Sequence, residues 1–198
     1  MIAGLILAAG ESRRMARDKA LLTYRGQTFL ETIVQTLRAG GIEKIAVVLG
    51  HHADEIQRAV NLSGVQVVVN PAYQRGQTSS LQAGLGALQA LSPEGVMLCL
   101  VDHPAVPAEV LRNLLAQFEQ SRSAVIIPTF QGQRGHPILI GRALFPELLA
   151  LNPDEGANAV IRKYLHATQL VEVENQGILL DVDDPETYHR LEPDRSTQ

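Results

Sequence analysis

The segment Leu7-Ala8-Ala9-Gly10-Glu11-Ser12-Arg13-Arg14-Met15-Ala16-Arg17-Asp18-Lys19 joins an apolar run to a small-residue turn and then to four cations. Small residues let backbone N–H groups approach a ligand that bulky side chains would exclude. Arginine grips phosphate oxygens as a bidentate fork, and lysine adds a compact point charge. The chemistry this permits is the cradling of a polyphosphate by Leu7, Ala8, Ala9, Gly10, Ser12, Arg13, Arg14 and Lys19. A solvated basic loop is the bland alternative, but a loop directly after the first strand is where α/β folds place ligands. A second cluster, Asp102-His103-Pro104, follows the apolar run Val96 to Val101. When two anions must meet, Mg²⁺ on one or two carboxylates is the common remedy, and Asp102 is a candidate ligand. Its alternative is to cap a helix opening near Pro107. Asp181-Val182-Asp183-Asp184-Pro185 offers a second carboxylate. If this stretch is a strand, alternation sends Asp181 and Asp183 to one side, either of them able to reach the metal, with Asp184 free to cap a following helix.

Two further segments are polar in the same way. Between Asn70 and Leu81, Gly76, Ser79 and Ser80 fall at a predicted helix start, where free N–H groups and the helix dipole favour an anion or a base edge. Ser79 or Ser80 as a plain N-cap is compatible with that. Gly135, His136 and Pro137 end a Gly, Gln and Arg rich loop, in which a lone histidine is as readily structural as functional. His51 and His52 are expected to begin a helix at a polar surface, and no chemistry is assigned to them or to Tyr24 and Arg25.

The elements that must hold these groups follow from hydrophobic period. Ile2 to Leu7 reads as a buried strand; Phe29, Leu30, Ile33, Val34 and Leu37 share a helical face, with Thr28 and Glu31 as a capping box and Gly40 as the stop. Strands are expected at 44–49, 65–69, 96–101, 124–128, 138–140, 169–173 and 177–182, and helices at 54–61, from 79 or 80 to 88, from 107, and near 142–149 and 158–165. Gly84 and Gly86 weaken the third helix unless it packs closely on the sheet or approaches a ligand. The alternation predicts an α/β single domain over 1–191, a Rossmann-like three-layer sandwich with a mostly parallel central sheet, and a frayed tail at 192–198.

Bulk composition narrows the class. The 198 residues are 45% hydrophobic and carry a formal charge of −4, which fits a soluble domain and argues against a nucleic-acid partner. The single Cys99 allows no internal disulfide, and no apolar run reaches the roughly 18 residues of a membrane span, so a cytoplasmic protein is expected.

Neither G-x-G-x-x-G nor G-x-x-x-x-G-K-[ST] follows the first strand, which leaves a simple NAD reader or a Walker-type ATPase without support. The pattern L-A-A-G-x-S-x-R-M-x-x-x-K instead resembles the signature loop of the molybdenum cofactor nucleotidyltransferases, within the sugar-nucleotide pyrophosphorylase superfamily, with Ala16 where the family usually has Gly. That resemblance implies the nucleotide-diphospho-sugar transferase fold and contacts from Arg13 and Lys19 to the triphosphate. It implies a metal at the D-x-P aspartate Asp102, joined by the D-x-D-x-P carboxylates, and base selection by Asn70, Gly76, Ser79, Ser80 and Leu81. Gly135, His136 and Pro137, and more loosely Asp154 and Gly156 of a loop where the family often has Arg at the position of Asn158, would face the pterin acceptor. L-A-A-G with G-x-x-x-S-L is similar to the cytidylyl branch, so CTP is preferred to GTP, with molybdopterin or molybdenum cofactor as acceptor. A molybdoenzyme or an insertion chaperone would be a further partner. The rival functions are a sugar-phosphate nucleotidyltransferase, a silent nucleotide-binding module and, disfavoured by the absent glycine fingerprint, an NAD-dependent oxidoreductase.

Overall fold

The computed structural model describes residues 1–191 apart from Arg13, Ala16 and Pro153, so the expected tail at 192–198 lies outside the described residues. In chain order the elements are β1 (Ile2–Ala8), β2 (Thr23–Tyr24), β3 (Gln27–Thr28), α1 (Phe29–Ala39), β4 (Ile45–Leu49), α2 (Ala53–Ala59), β5 (Val65–Val69), α3 (Gln77–Leu88) and β6 (Gly95–Leu100). Then come α4 (Ala108–Ser121), β7 (Val125–Phe130), β8 (Gln133–Arg134), β9 (Ile138–Gly141), α5 (Phe145–Ala150), α6 (Asn158–Lys163), β10 (Thr168–Glu172) and α7 (Pro185–Leu191).

The main sheet runs β10-β7-β9-β6-β1-β4-β5, with β8 hairpinned onto β7. β5, β4, β1 and β6 are mutually parallel, and β9 runs antiparallel to both β6 and β7. Chain order turns back on itself at β1: β4 and β5 lie on one side and β6 on the other, which opens a crevice at the carboxyl ends of β1 and β6. The continuously apolar strands are explained by burial on both faces. Ile6, Ala8, Val47, Leu49, Met97 and Cys99 face α1 and α4, while Leu5, Leu7, Ala46, Val48, Val96 and Leu98 face α3 and α5. The three-layer α/β sandwich with a mostly parallel sheet is therefore as expected.

Local signals account for the element ends. Thr28 accepts from Glu31 N at 3.2 Å and Glu31 Oε2 accepts from Thr28 N at 3.0 Å, completing the capping box of α1 before Gly40 ends it. Helix α4 starts after Pro107, and Asp102 takes no part in its cap. Helix α3 begins at Gln77, two or three residues earlier than the serines suggested. Gly76, at φ +101°, makes the turn, and Ser79 Oγ donates back to Gly76 O at 2.8 Å and Ala72 O at 3.0 Å, so neither serine is the N-cap.

The larger correction is at 177–182, which forms no strand. Asn175 Oδ1 accepts from Gly177 N at 2.8 Å and starts a 3-10 turn over Gln176–Leu179. A Cβ on Gly177 would lie 2.5 Å from Ala105 O, so only glycine permits that approach, and Val182 N then donates to Asp102 O at 2.9 Å. The apolar residues there are buried by packing and not by a ladder, and strand alternation cannot decide where Asp181 and Asp183 point. A small apolar cluster of Met15, Leu22, Phe29, Val182 and Leu191 clamps the cationic loop to this segment, with Phe29 and Tyr188 edge to face at 5.8 Å.

Gly84 and Gly86 prove unlike. A Cβ on Gly84 would overlap Leu5 Cδ1 and sit 2.9 Å from Val48 Cγ2, whereas one on Gly86 would meet nothing within 4 Å. Gly84→Ala is therefore expected to destabilise by about 1–3 kcal/mol through overpacking, and Gly86→Ala to stabilise by roughly 0.5–1 kcal/mol. Urea unfolding midpoints of the two variants, moving in opposite directions, check this.

Candidate active site

Lys19 opens a 3-10 turn, Lys19–Leu21, after the loop that leaves β1. Ser12, at φ +48°, closes that loop: its carbonyl accepts from Met15 N at 2.8 Å and its Oγ accepts from Lys19 N at 3.0 Å. The Lys19 side chain, 11% exposed, turns inward and donates from Nζ to Asp102 Oδ2 at 3.2 Å and to Asp183 Oδ1. Burial opposes the charge on Lys19. The hydrogen bond to Asp183 and the charge of Asp102 outweigh it and hold the pKa above that of an ordinary lysine. In return the Lys19 hydrogen bond keeps Asp183 below the usual carboxylate range, helped by Arg14 at 3.4 Å.

Asp181 has the opposite electrostatics. Partial desolvation, with the charges of Asp102 and Asp183, pushes its carboxyl up to about 6. One ligand atom each from Asp102, His103 and Asp181 lie within 4.8 Å of one another, and Asp102 Oδ1 is buried with no hydrogen-bond partner among the described residues. Crowded carboxylates with an orphaned oxygen are what a divalent cation relieves. The donor set therefore fits a hard metal at Asp102 and Asp181, while Asp183 is taken up by cations.

Lys19, Asp102 and Asp183 floor a cleft of ≈ 450 Å³, lined also by Leu7, Ala9, Gly10, Ser12, Arg14, Gly76 and Ser80, together with Tyr73, Gln77, Leu100 and Val101, with Asp181 outside that lining. The volume suits a nucleotide-sized ligand. Four of the expected nucleotide-binding residues, Ala8, Asn70, Ser79 and Leu81, sit behind this lining. Ala8 and Leu81 are in the apolar core, and Asn70 is buried, its Nδ2 donating to Ser79 Oγ at 3.0 Å and Ser80 Oγ at 3.1 Å. These bonds brace the start of α3, which is a positioning task. Arg13 and Ala16 lie outside the described residues. Sequence reasoning passed over Tyr73, Gln77 and His103, although all three stand inside motifs it singled out.

A model of the MobA-like NTP transferase domain matches residues 4–169. The chain belongs to that family. As an NTP transferase it is a nucleotidyltransferase by kind. It is 31% identical over 197 residues to the nicotine blue oxidoreductase of Paenarthrobacter nicotinovorans, covering 96% of each chain. It is 28% identical over 185 residues to the molybdenum cofactor cytidylyltransferase of Escherichia coli K12, covering 93% of this chain and 92% of that one. Among solved structures, Rv0371c from Mycobacterium tuberculosis H37Rv superposes with a TM-score of 0.85 at 30% identity, covering 96% of both chains, and has also been crystallised in complex with manganese.

The expected acceptor-side residues do not enter the cleft of this NTP transferase. Gly135 is pressed against Ile178, and His136 and Pro137 line a narrow apolar hollow with Cys99, Leu111 and His103. The imidazoles of His103 and His136 lie 5.0 Å apart, and neither lines the cleft. Asp154 and Gly156 are exposed, and the loop between them docks on α3 through Thr78 Oγ1, which donates to Glu155 O at 2.6 Å.

Burial, and then the neighbouring His103, lower the His136 pKa to about 4. Between that value and the ordinary 6.5 the unfolded chain takes up a proton that the folded one refuses, so stability is full above 6.5 and falls as pH drops toward 4. The loss is at most about 3 kcal/mol. Tm of the intact protein should fall between pH 7 and pH 5, and His136→Gln should flatten that slope.

Proposed function

We propose that this NTP transferase moves a nucleoside monophosphate, CMP from CTP, onto the terminal phosphate of molybdopterin or molybdenum cofactor and releases pyrophosphate, with GTP as the alternative donor. The observation that carries the reading is the buried Lys19 ammonium, 3.2 Å from Asp102 and paired with Asp183, on the floor of a cleft rimmed by Gly10, Ser12, Arg14 and Ser80. L-A-A-G paired with G-x-x-x-S-L, and likeness to the Escherichia coli cytidylyltransferase along 93% of the chain, support CTP.

In this reading an acceptor phosphate oxygen forms a bond to the α-phosphorus of the nucleotide, the α–β bridging P–O bond breaks, and pyrophosphate leaves with the electron pair. The acceptor is already ionised at neutral pH, so no strong general base is needed. What the chain must supply is alignment and neutralisation of charge. Backbone N–H groups at Ala9 and Gly10 and the amino terminus of α3 frame the nucleotide, and Lys19, with Arg13, offers fixed positive charge to its phosphates. Mg²⁺ held by Asp102 and Asp181 would neutralise phosphate oxygens as charge develops on the leaving group. Asp183 positions Lys19 and keeps it charged.

A second reading is favoured by the likeness to nicotine blue oxidoreductase over 96% of the chain. There the same cleft would hold a nicotinamide dinucleotide that delivers hydride to a bound ring, although no G-x-G-x-x-G supports it.

One assay separates the two. Pyrophosphate release is measured with CTP, GTP, ATP and UTP, with and without molybdopterin, beside NADH or NADPH oxidation with nicotine blue. Release with CTP and molybdopterin is expected. Hydride transfer without release would move the function to the second reading, and no turnover at all would favour a binding module. Lys19→Ala is expected to lower turnover by about 100-fold or more with an unchanged circular dichroism spectrum. Asp102→Asn should shift the Mg²⁺ titration to higher concentration. Near-normal rates in the first variant, or an unmoved titration in the second, would remove those residues from their roles.

A further inference from the structure

On the far side of the cationic loop, a buried carboxylate meets two imidazoles that the nucleotide cleft does not use. Asp18, immediately before Lys19, has a side chain only 8% exposed, and its two oxygens face His52 Nδ1 at 2.8 Å and His51 Nδ1 at 3.6 Å. The two rings lie against each other with centroids 3.6 Å apart, and one ligand atom from each of the three residues falls within 4.8 Å of the others. His51 Nδ1 is buried and has no hydrogen-bond partner among the described residues, a state that a native interior rarely tolerates without a bound group. The backbone under the pair is held, because His51 N donates to Ala9 O at 3.2 Å and Gly50 is pressed against Tyr73.

The open side of this cluster is a hollow of ≈ 330 Å³ lined by Glu11, Ser12, Arg17, Leu21 and Glu55. Asp18 with two glutamates makes it unsuited to an anion, even with Arg17 at its wall. We propose that Asp18, His51 and His52 bind a divalent transition metal ion of the Zn²⁺ class, at a site separate from the carboxylates of the nucleotide cleft. Two imidazole nitrogens and one carboxylate oxygen form a borderline-soft donor set that suits Zn²⁺ and disfavours Mg²⁺, and the remaining coordination positions face the hollow. The ion would pin the end of the phosphate loop, one residue before Lys19, to the junction of β4 and α2.

The test is calorimetric titration of Zn²⁺ into tag-free, metal-stripped, full-length protein in excess Mg²⁺, with Co²⁺ absorption as a report of ligand field. One Zn²⁺ per chain is expected in the wild type and in Asp102→Asn. His51→Gln and His52→Gln should each weaken binding by at least about tenfold. Metal-free Tm values show whether the variants fold. If His51→Gln does not, the half-exposed His52 and the wild-type titration still decide. No saturable Zn²⁺ binding by the wild type, binding unchanged in the histidine variants, or binding lost in Asp102→Asn would each overturn the site.

Discussion

A single ammonium holds together parts of the chain that sequence keeps far apart. Lys19 reaches Asp102 across 83 positions and Asp183 across 164, so the loop after β1, the end of β6 and the segment before α7 meet at one nitrogen. A charge this well buried is costly unless it is paired and hydrogen-bonded, so the ammonium rests where both carboxylates reach it. The apolar clamp of Met15, Phe29, Val182 and Leu191 brings the outer two into register, and the Val182 amide bond to the Asp102 carbonyl brings in the third.

The same convergence leaves the surroundings of Lys19 short of positive charge. Asp102, Asp181 and Asp183 face one lysine, with Arg14 contributing only from an exposed position. Asp183 wins the lysine, and Asp181 is left with a carboxyl raised to about 6. Two carboxylates two residues apart therefore do different things, which is how a folded protein divides labour between chemically identical groups. The division comes from the 3-10 turn over Gln176–Leu179 and the bend after it, since a strand would have treated both alike.

Much of this was legible beforehand. Continuous apolar runs revealed the strands buried on both faces, Thr28 and Glu31 announced the start of α1, and small residues followed by cations marked the loop. These signals are local, and local propensity is what a sequence expresses directly. The misreadings have a shared origin in contacts between distant segments. Gly177-Ile178-Leu179-Leu180 is apolar enough for a strand, but the glycine is needed against Ala105 and the segment joins no sheet among the described residues. Ser79 is a plausible cap by type, yet Gly76 takes the turn and the serine hydroxyl is spent on the preceding backbone. His136 stands in a loop by sequence and behind His103 in space. No spacing rule contains the information that the hairpin β7–β8 folds it inward.

Cys99 sits on β6, one residue before the strand's end and beside β1, with burial raising its thiol to about 12. A thiol reagent attacks the thiolate, which the folded state denies both by access and by acidity. The middle of the sheet thus carries its own chemical clock: the rate at which the one thiol becomes labelled reports how often the packing of β6 and the hollow beside it opens.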